Sequence, residues 1–96
     1  SALGELRLLL LAAGINGNDR LFRDLPHTLM FVQSAESIRR IVDPAHEDYG
    51  VVAKYYARIG PTAEVARGFW REHLDGKLQS TAALEQIVEA VKPVPK

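Results

Sequence analysis

Apolar side chains recur at intervals of three and four residues along most of this chain, which is the spacing of amphipathic α-helices. Pro and Gly residues interrupt the pattern, and no convincing strand-like alternation occurs. The pattern therefore predicts an all-α fold, a compact bundle of five to six short helices in a single domain of residues 1–92, with a Pro-containing tail at 93–96. The predicted helices lie at about residues 4–13, 19–25, 26–43, 44–59, 61–74 and 80–91.

Several of these boundaries depend on proline. Pro26 disfavours helical geometry at the residue before it, so the second helix is expected to end there and a third to begin at Pro26. Asp43 followed by Pro44 is typical of a capped helix start and predicts the fourth helix. Gly60 can end that helix, and Pro61 cannot continue it.

The first predicted helix carries more apolar side chains than a one-sided helix needs. Beyond the stripe that would face a core, Leu8, Leu9 and Leu11 cover most of the remaining circumference, and only Glu5 and Arg7 are charged. A helix that is apolar nearly all round is either central in its fold or packed against a partner. This segment therefore predicts a surface for protein association.

Composition limits the classes of function. The 96 residues suffice for one domain, and 47% apolar with 25% charged residues is ordinary for a globular protein. Without Cys the chain cannot build a disulfide framework or a thiolate zinc site. Its 12 Lys+Arg balance 12 Asp+Glu, which argues against binding driven mainly by phosphate neutralisation. No apolar run approaches the ~20 residues of a membrane-spanning helix, which favours a cytoplasmic protein.

Motifs for catalysis and metal binding are missing from the sequence. The chain has no glycine-rich phosphate loop and no nucleophile elbow. His46, Glu47 and Asp48 are consecutive, so on a helix they would point about 100° apart and could not chelate one ion. Asp43 and Glu47 would share a helix face, where the positive end of the helix dipole favours acidic residues. We therefore expect no catalytic residues, no cofactor, no metal and no enzyme activity of the chain alone.

A helix-turn-helix is one candidate for function. The tight connection at residues 59–62 contains Gly60 and joins two predicted helices, the second of which would enter the major groove of DNA. Ala63 and Glu64 provide few early donors on that helix, so nucleic acid is the second choice of partner. The residues expected to contact bases or phosphates are Thr62, Arg67, Arg71, Arg58 and Lys54.

Aromatic residues supply the other candidate anchors, because Tyr and Trp near a surface are frequent anchors of protein interfaces. We therefore predict a non-catalytic protein–protein interaction or assembly module, as a homo-oligomer, a small subunit or a domain of a larger chain. A small-ligand pocket in the bundle interior, lined by Tyr, Trp and His73, is a further alternative. The interface candidates are Leu8, Leu9, Leu11, Tyr55, Tyr56, Phe69 and Trp70.

Overall fold

The computed structural model describes residues 1–47 and 54–93, and these two ranges contain helices and no strand. The all-α prediction is confirmed, and two predicted ranges, 61–74 and 80–91, match the observed helices. The predicted tail lies almost wholly outside the described residues. No helix in the described ranges has the length and hydropathy to cross a bilayer. The helices are α1 (Ala2–Ala12), α2 (Leu21–Ile41), α3 (Tyr55–Ile59), α4 (Pro61–Leu74) and α5 (Ser80–Val91).

Local capping explains where α1 begins and ends. The Ser1 Oγ accepts a hydrogen bond from the Gly4 amide (3.2 Å), as expected of an N-cap serine. At the other end, Gly14 adopts a φ of +84°, and the Ile15 amide donates to the Leu10 carbonyl (3.1 Å). A left-handed glycine followed by this bond is a Schellman motif. The motif turns the chain so that Ile15 is buried in the core.

α2 is one continuous helix, so the prediction of two helices separated at Pro26 is wrong. It begins at Leu21, whose amide donates to the Asp19 carboxylate (2.9 Å), and Pro26 is its sixth residue. Leu25 and Leu29, on either side of Pro26 in the sequence, are both buried in the core. Burial of this continuous apolar face outweighs the local preference against helical geometry before a proline.

Replacing Pro26 by alanine should raise the free energy of unfolding by about 1 kcal/mol, because alanine supplies the amide that an interior proline lacks. The gain is smaller than the full cost of an interior proline, because alanine also loosens the unfolded chain. Urea denaturation measures the difference. The matched control is Pro61→Ala, at the first position of α4, where proline is favourable and no gain is expected. A loss of stability in Pro26→Ala would contradict the continuous helix.

The predicted helix at 44–59 is wrong over residues 44–47, which are not helical, and is confirmed over residues 55–59, which form α3. The His46 amide donates to the Asp43 carbonyl (3.0 Å), which closes a turn over Pro44. Asp followed by Pro is the signature of a β-turn as well as of a capped helix start, and here it forms the turn. Residues 48–53 lie outside the described residues, and helical structure is described again only from the start of α3.

The core lies between α4 and its neighbours. α4 packs against both α2 and α5, α1 lies against α5 and, over a smaller area, against α2, and α3 packs on α4. Small side chains of α4 sit in the core and let the neighbouring helices approach closely. The side chains without exposed surface are Leu6, Leu10, Leu25, Val32, Ala63, Ala66, Leu84 and Ile87, with Thr28 and Ala83.

Candidate functional site

α1 divides into a core side and an exposed side, and the exposed side is apolar. Leu6 and Leu10 have 0% exposed surface, and Leu9 is half-buried against the same core. Leu8, on the opposite side of the helix at about 100° per residue, is 67% exposed, and Leu11 is 45% exposed. Two of the three predicted interface leucines therefore lie on the surface, and Leu9 belongs mainly to the core.

Small residues flank Leu8 along the surface of α1. Gly4 and Ala12, four residues before and after Leu8, are both exposed. We call the set Gly4, Leu8, Leu11 and Ala12 the outer face of α1. Positions four apart form one ridge of a helix, so a neighbouring helix can approach closely at both ends of this face.

The charged residues beside the outer face contact the chain itself. The Arg7 guanidinium lies 5.3 Å from the centre of the Phe22 ring, a cation–π contact. The Glu5 carboxylate accepts a hydrogen bond from the Thr81 hydroxyl of α5 (3.2 Å). The two charges are thus held at the flanks, and the surface between them is apolar.

An apolar cleft of about 300 Å³ lies between the start of α1 and the middle of α2. Leu3 and Met30, both about half exposed, line it together with the buried Leu29 and Trp70. The indole Nε1 of Trp70 is buried and has no acceptor within the described ranges. The sequence did not single out Leu3 or Met30 as surface residues, because a helical stripe shows spacing but not which neighbouring elements cover it.

The four predicted aromatic anchors do not form one surface. Tyr56 and Trp70 are only 4% and 3% exposed and belong to the core. Tyr55 and Phe69 are half-buried, and both pack against core residues. Tyr56 and Trp70 are therefore not accessible to a partner in the folded chain, and Leu8 and Leu11 remain as the most exposed interface candidates.

At the corner around Gly60, Arg67 packs against the chain itself, whereas Arg58 is exposed. The Arg67 guanidinium lies 4.2 Å from the centre of the Tyr56 ring and donates to the Glu64 carboxylate (2.9 Å). Ala63, one of the first residues of α4, is fully buried and cannot reach DNA. Thr62 is half-buried, and Lys54 is exposed. DNA binding through this corner stays a prediction, with Arg67 already engaged within the chain.

Arg71 belongs to an ionic cluster around Glu36 that joins α2 to α4. Glu36 accepts a hydrogen bond from Arg39 (2.6 Å), and the Nε atoms of Arg71 and Arg40 each lie 3.8 Å from its carboxylate. The Arg39 hydrogen bond and the neighbouring positive charges lower the pKa of Glu36 despite its partial burial. Glu36 therefore stays ionised and competes with any external anion for Arg71.

The predicted interior pocket of Tyr, Trp and His73 does not form as one site. The Trp70 and His73 rings are tilted against each other with centres 4.6 Å apart, and the His73 Nδ1 lies 2.9 Å from the Leu78 carbonyl oxygen. Tyr55 lines a different cleft, between α2 and α3, from the one that Trp70 lines. Among the residues that the structure describes, no group of three or more His, Asp or Glu could hold a metal ion.

Comparison with known proteins gives no family for this chain: no family model matches it, and no curated protein or solved structure shows a significant match. The outer face of α1 and the clefts therefore have to be interpreted from their own geometry.

Proposed function

We propose that this chain is a non-catalytic helical association module, and that its binding surface is the outer face of α1. The observation that carries the proposal is the exposure of Leu8. This large apolar side chain near the centre of α1 is two-thirds exposed, whereas Leu6 and Leu10 on the opposite side of the helix are fully buried. Covering a contiguous apolar surface of this kind with a partner removes it from water and lowers the free energy of the system. The partner we infer first is a second copy of the chain.

The arrangement of the outer face favours self-association, because it is complementary to itself. A two-fold axis beside Leu8 would pair two antiparallel copies of α1, with Leu8 packed on Leu8 of the second copy. Gly4 of each copy would then lie opposite Ala12 of the other, and each Leu11 would fit beside a Gly4 that has no side chain. Small residues opposite small residues allow close packing of the two helices.

Sedimentation equilibrium from about 1 to 200 µM tests the proposal, because a small interface of this kind is expected to give a dissociation constant in the micromolar range. We expect a monomer–dimer equilibrium for the unaltered chain. Leu8→Glu should abolish the dimer, because two carboxylates would face each other across the axis. Circular dichroism should show unchanged helix content, since Leu8 does not enter the core.

The matched control is Ile41→Glu, at the end of α2. Ile41 is 82% exposed, so the substitution introduces the same charge at another exposed apolar position outside the outer face. We expect it to leave the dimer intact. A strictly monomeric chain at the highest concentration, or equal dissociation by Leu8→Glu and Ile41→Glu, would refute self-association through α1.

A further inference from the structure

A second surface feature, separate from the outer face of α1, is a cleft of about 460 Å³ between α2 and α3. Arg23, Asp24 and His27 line it from α2, and Arg20 lines it from the N-cap position just before that helix. The four residues are spaced i, i+3, i+4 and i+7, which places them on one side of the helix and its first turn. α3 contributes Tyr55 and Arg58 at i and i+3. The volume lies within the range typical of small-molecule sites.

The floor of this cleft is built around a buried carboxylate. Asp24 is only 5% exposed, and it accepts hydrogen bonds from the Tyr55 hydroxyl (3.2 Å) and from the Arg23 Nε (3.3 Å). The Tyr55 oxygen also lies 3.4 Å from the His27 Nδ1. Burial, together with the Asp24 carboxylate, raises the pKa of Tyr55 above its usual value, so the phenol keeps its proton and the hydrogen bond persists.

Aromatic contacts hold Tyr55 in this position. Its ring meets the Phe31 ring edge-on with centres 5.3 Å apart, and the His27 ring centre lies 6.2 Å away. Edge-to-face packing is a favourable arrangement of such rings. The Tyr55 ring therefore packs against two aromatic side chains of α2, and its hydroxyl donates to the buried Asp24 carboxylate.

The arginines at this cleft have guanidinium N–H groups that are not used in hydrogen bonds with the described residues. Asp24 engages only the Nε of Arg23, whose side chain is 69% exposed. Arg20 makes no ion pair within the described ranges, and the Arg58 guanidinium lies 5.8 Å from the centre of the Tyr55 ring without a carboxylate partner there. Three arginines oppose one carboxylate, which gives a local positive excess in a chain of zero net charge. Concave positive surfaces focus the electric field and attract anions.

We propose that the cleft between α2 and α3 binds a small anion that carries phosphate groups. Three guanidinium groups around one cavity suit a ligand with more than one negative charge, because each planar fork can donate two parallel hydrogen bonds to phosphate oxygens. The Tyr55 ring and the aromatic side chains behind it form an apolar wall for the rest of such a ligand.

Isothermal titration calorimetry of the full chain with pyrophosphate, at low ionic strength, tests the site. We expect saturable binding by the unaltered chain. Arg20→Gln and Arg58→Gln should each weaken the affinity about threefold to tenfold, and the double variant should show no binding. Both side chains lie at the surface without structural ion pairs, so the variants should fold. Acetate serves as the carboxylate probe and should bind much more weakly than pyrophosphate.

Lys77→Gln is the matched control, because it removes one positive charge from an exposed residue that does not line the cleft. We expect it to leave pyrophosphate binding unchanged. Equal weakening by Lys77→Gln, unaltered affinity in the double arginine variant, or acetate binding as tight as that of pyrophosphate would overturn the proposal. Binding of duplex DNA in the absence of any binding of pyrophosphate would also overturn it.

Discussion

Replacing Leu10 by alanine should lower the free energy of unfolding by about 2–5 kcal/mol, whereas the same replacement at Leu8 should change it by less than about 0.5 kcal/mol. Leu10 has 0% exposed surface and Leu8 is 67% exposed, although both lie within α1, two residues apart. Leucine and alanine have similar helix propensities, so the difference between the two sites reports packing rather than helix formation. Urea denaturation in dilute solution measures both variants as monomers.

The same pair of variants separates folding from association. At high protein concentration, a dimer through the outer face of α1 adds stability by mass action, and Leu8→Ala should remove part of that concentration-dependent gain. Leu10→Ala should remove stability at every concentration. Similar losses from both variants in dilute solution would show that Leu8 belongs to the core and would contradict the division of α1.

Replacing Gly60 by alanine should destabilise the fold by about 1–3 kcal/mol. Gly60 joins α3 to α4 with φ +89° and ψ −150°, a conformation that is essentially restricted to glycine. An added Cβ would meet no atom within 4 Å, so the penalty comes from the backbone conformation and not from a clash. Thermal unfolding should show a midpoint lowered by several degrees, since about 1 kcal/mol shifts a domain of this size by roughly 4–8 °C.

Gly68 provides the matched control for Gly60. It lies inside α4 on an exposed position, and a Cβ there would also have open space. Alanine at this site should stabilise the protein by about 0.5–1 kcal/mol, because glycine costs more backbone entropy in a helix. Opposite signs at the two glycines are expected. A neutral or stabilising Gly60→Ala would mean that the tight corner between α3 and α4 is not formed in solution.

Sequence reasoning succeeded where local signals and burial agree. α4 and α5 begin and end close to their predicted positions because proline or glycine punctuation coincides with the limits of an apolar stripe. Pro26 shows the opposite case, because the proline signal indicates a break while the apolar stripe continues through it. The chain forms one helix here, because burial of the apolar stripe contributes more to stability than the local preference against helical geometry before a proline costs.

The split predicted at Pro26 also hid the cleft between α2 and α3. With helices ending before Pro26 and restarting there, His27 would not share a continuous face with Arg20, Arg23 and Asp24. Because α2 is continuous, its three residues of this set share one face with the N-cap residue Arg20. α3 adds Arg58 from a segment more than thirty residues away. A pattern within one segment cannot show such a cluster, because it depends on which helix packs beside it.

The sequence by itself determined the helical class, the helix end at Gly60 and the apolar surplus of the first helix, because these follow from spacing and backbone preference within a few residues. Only the tertiary structure decided which side of α1 is buried and that Tyr56 and Trp70 enter the core. It also gathered three arginines of an electrically neutral chain around one cleft. Each of these outcomes depends on contacts between distant segments, and burial and charge proximity are properties of such contacts rather than of any one stretch of chain.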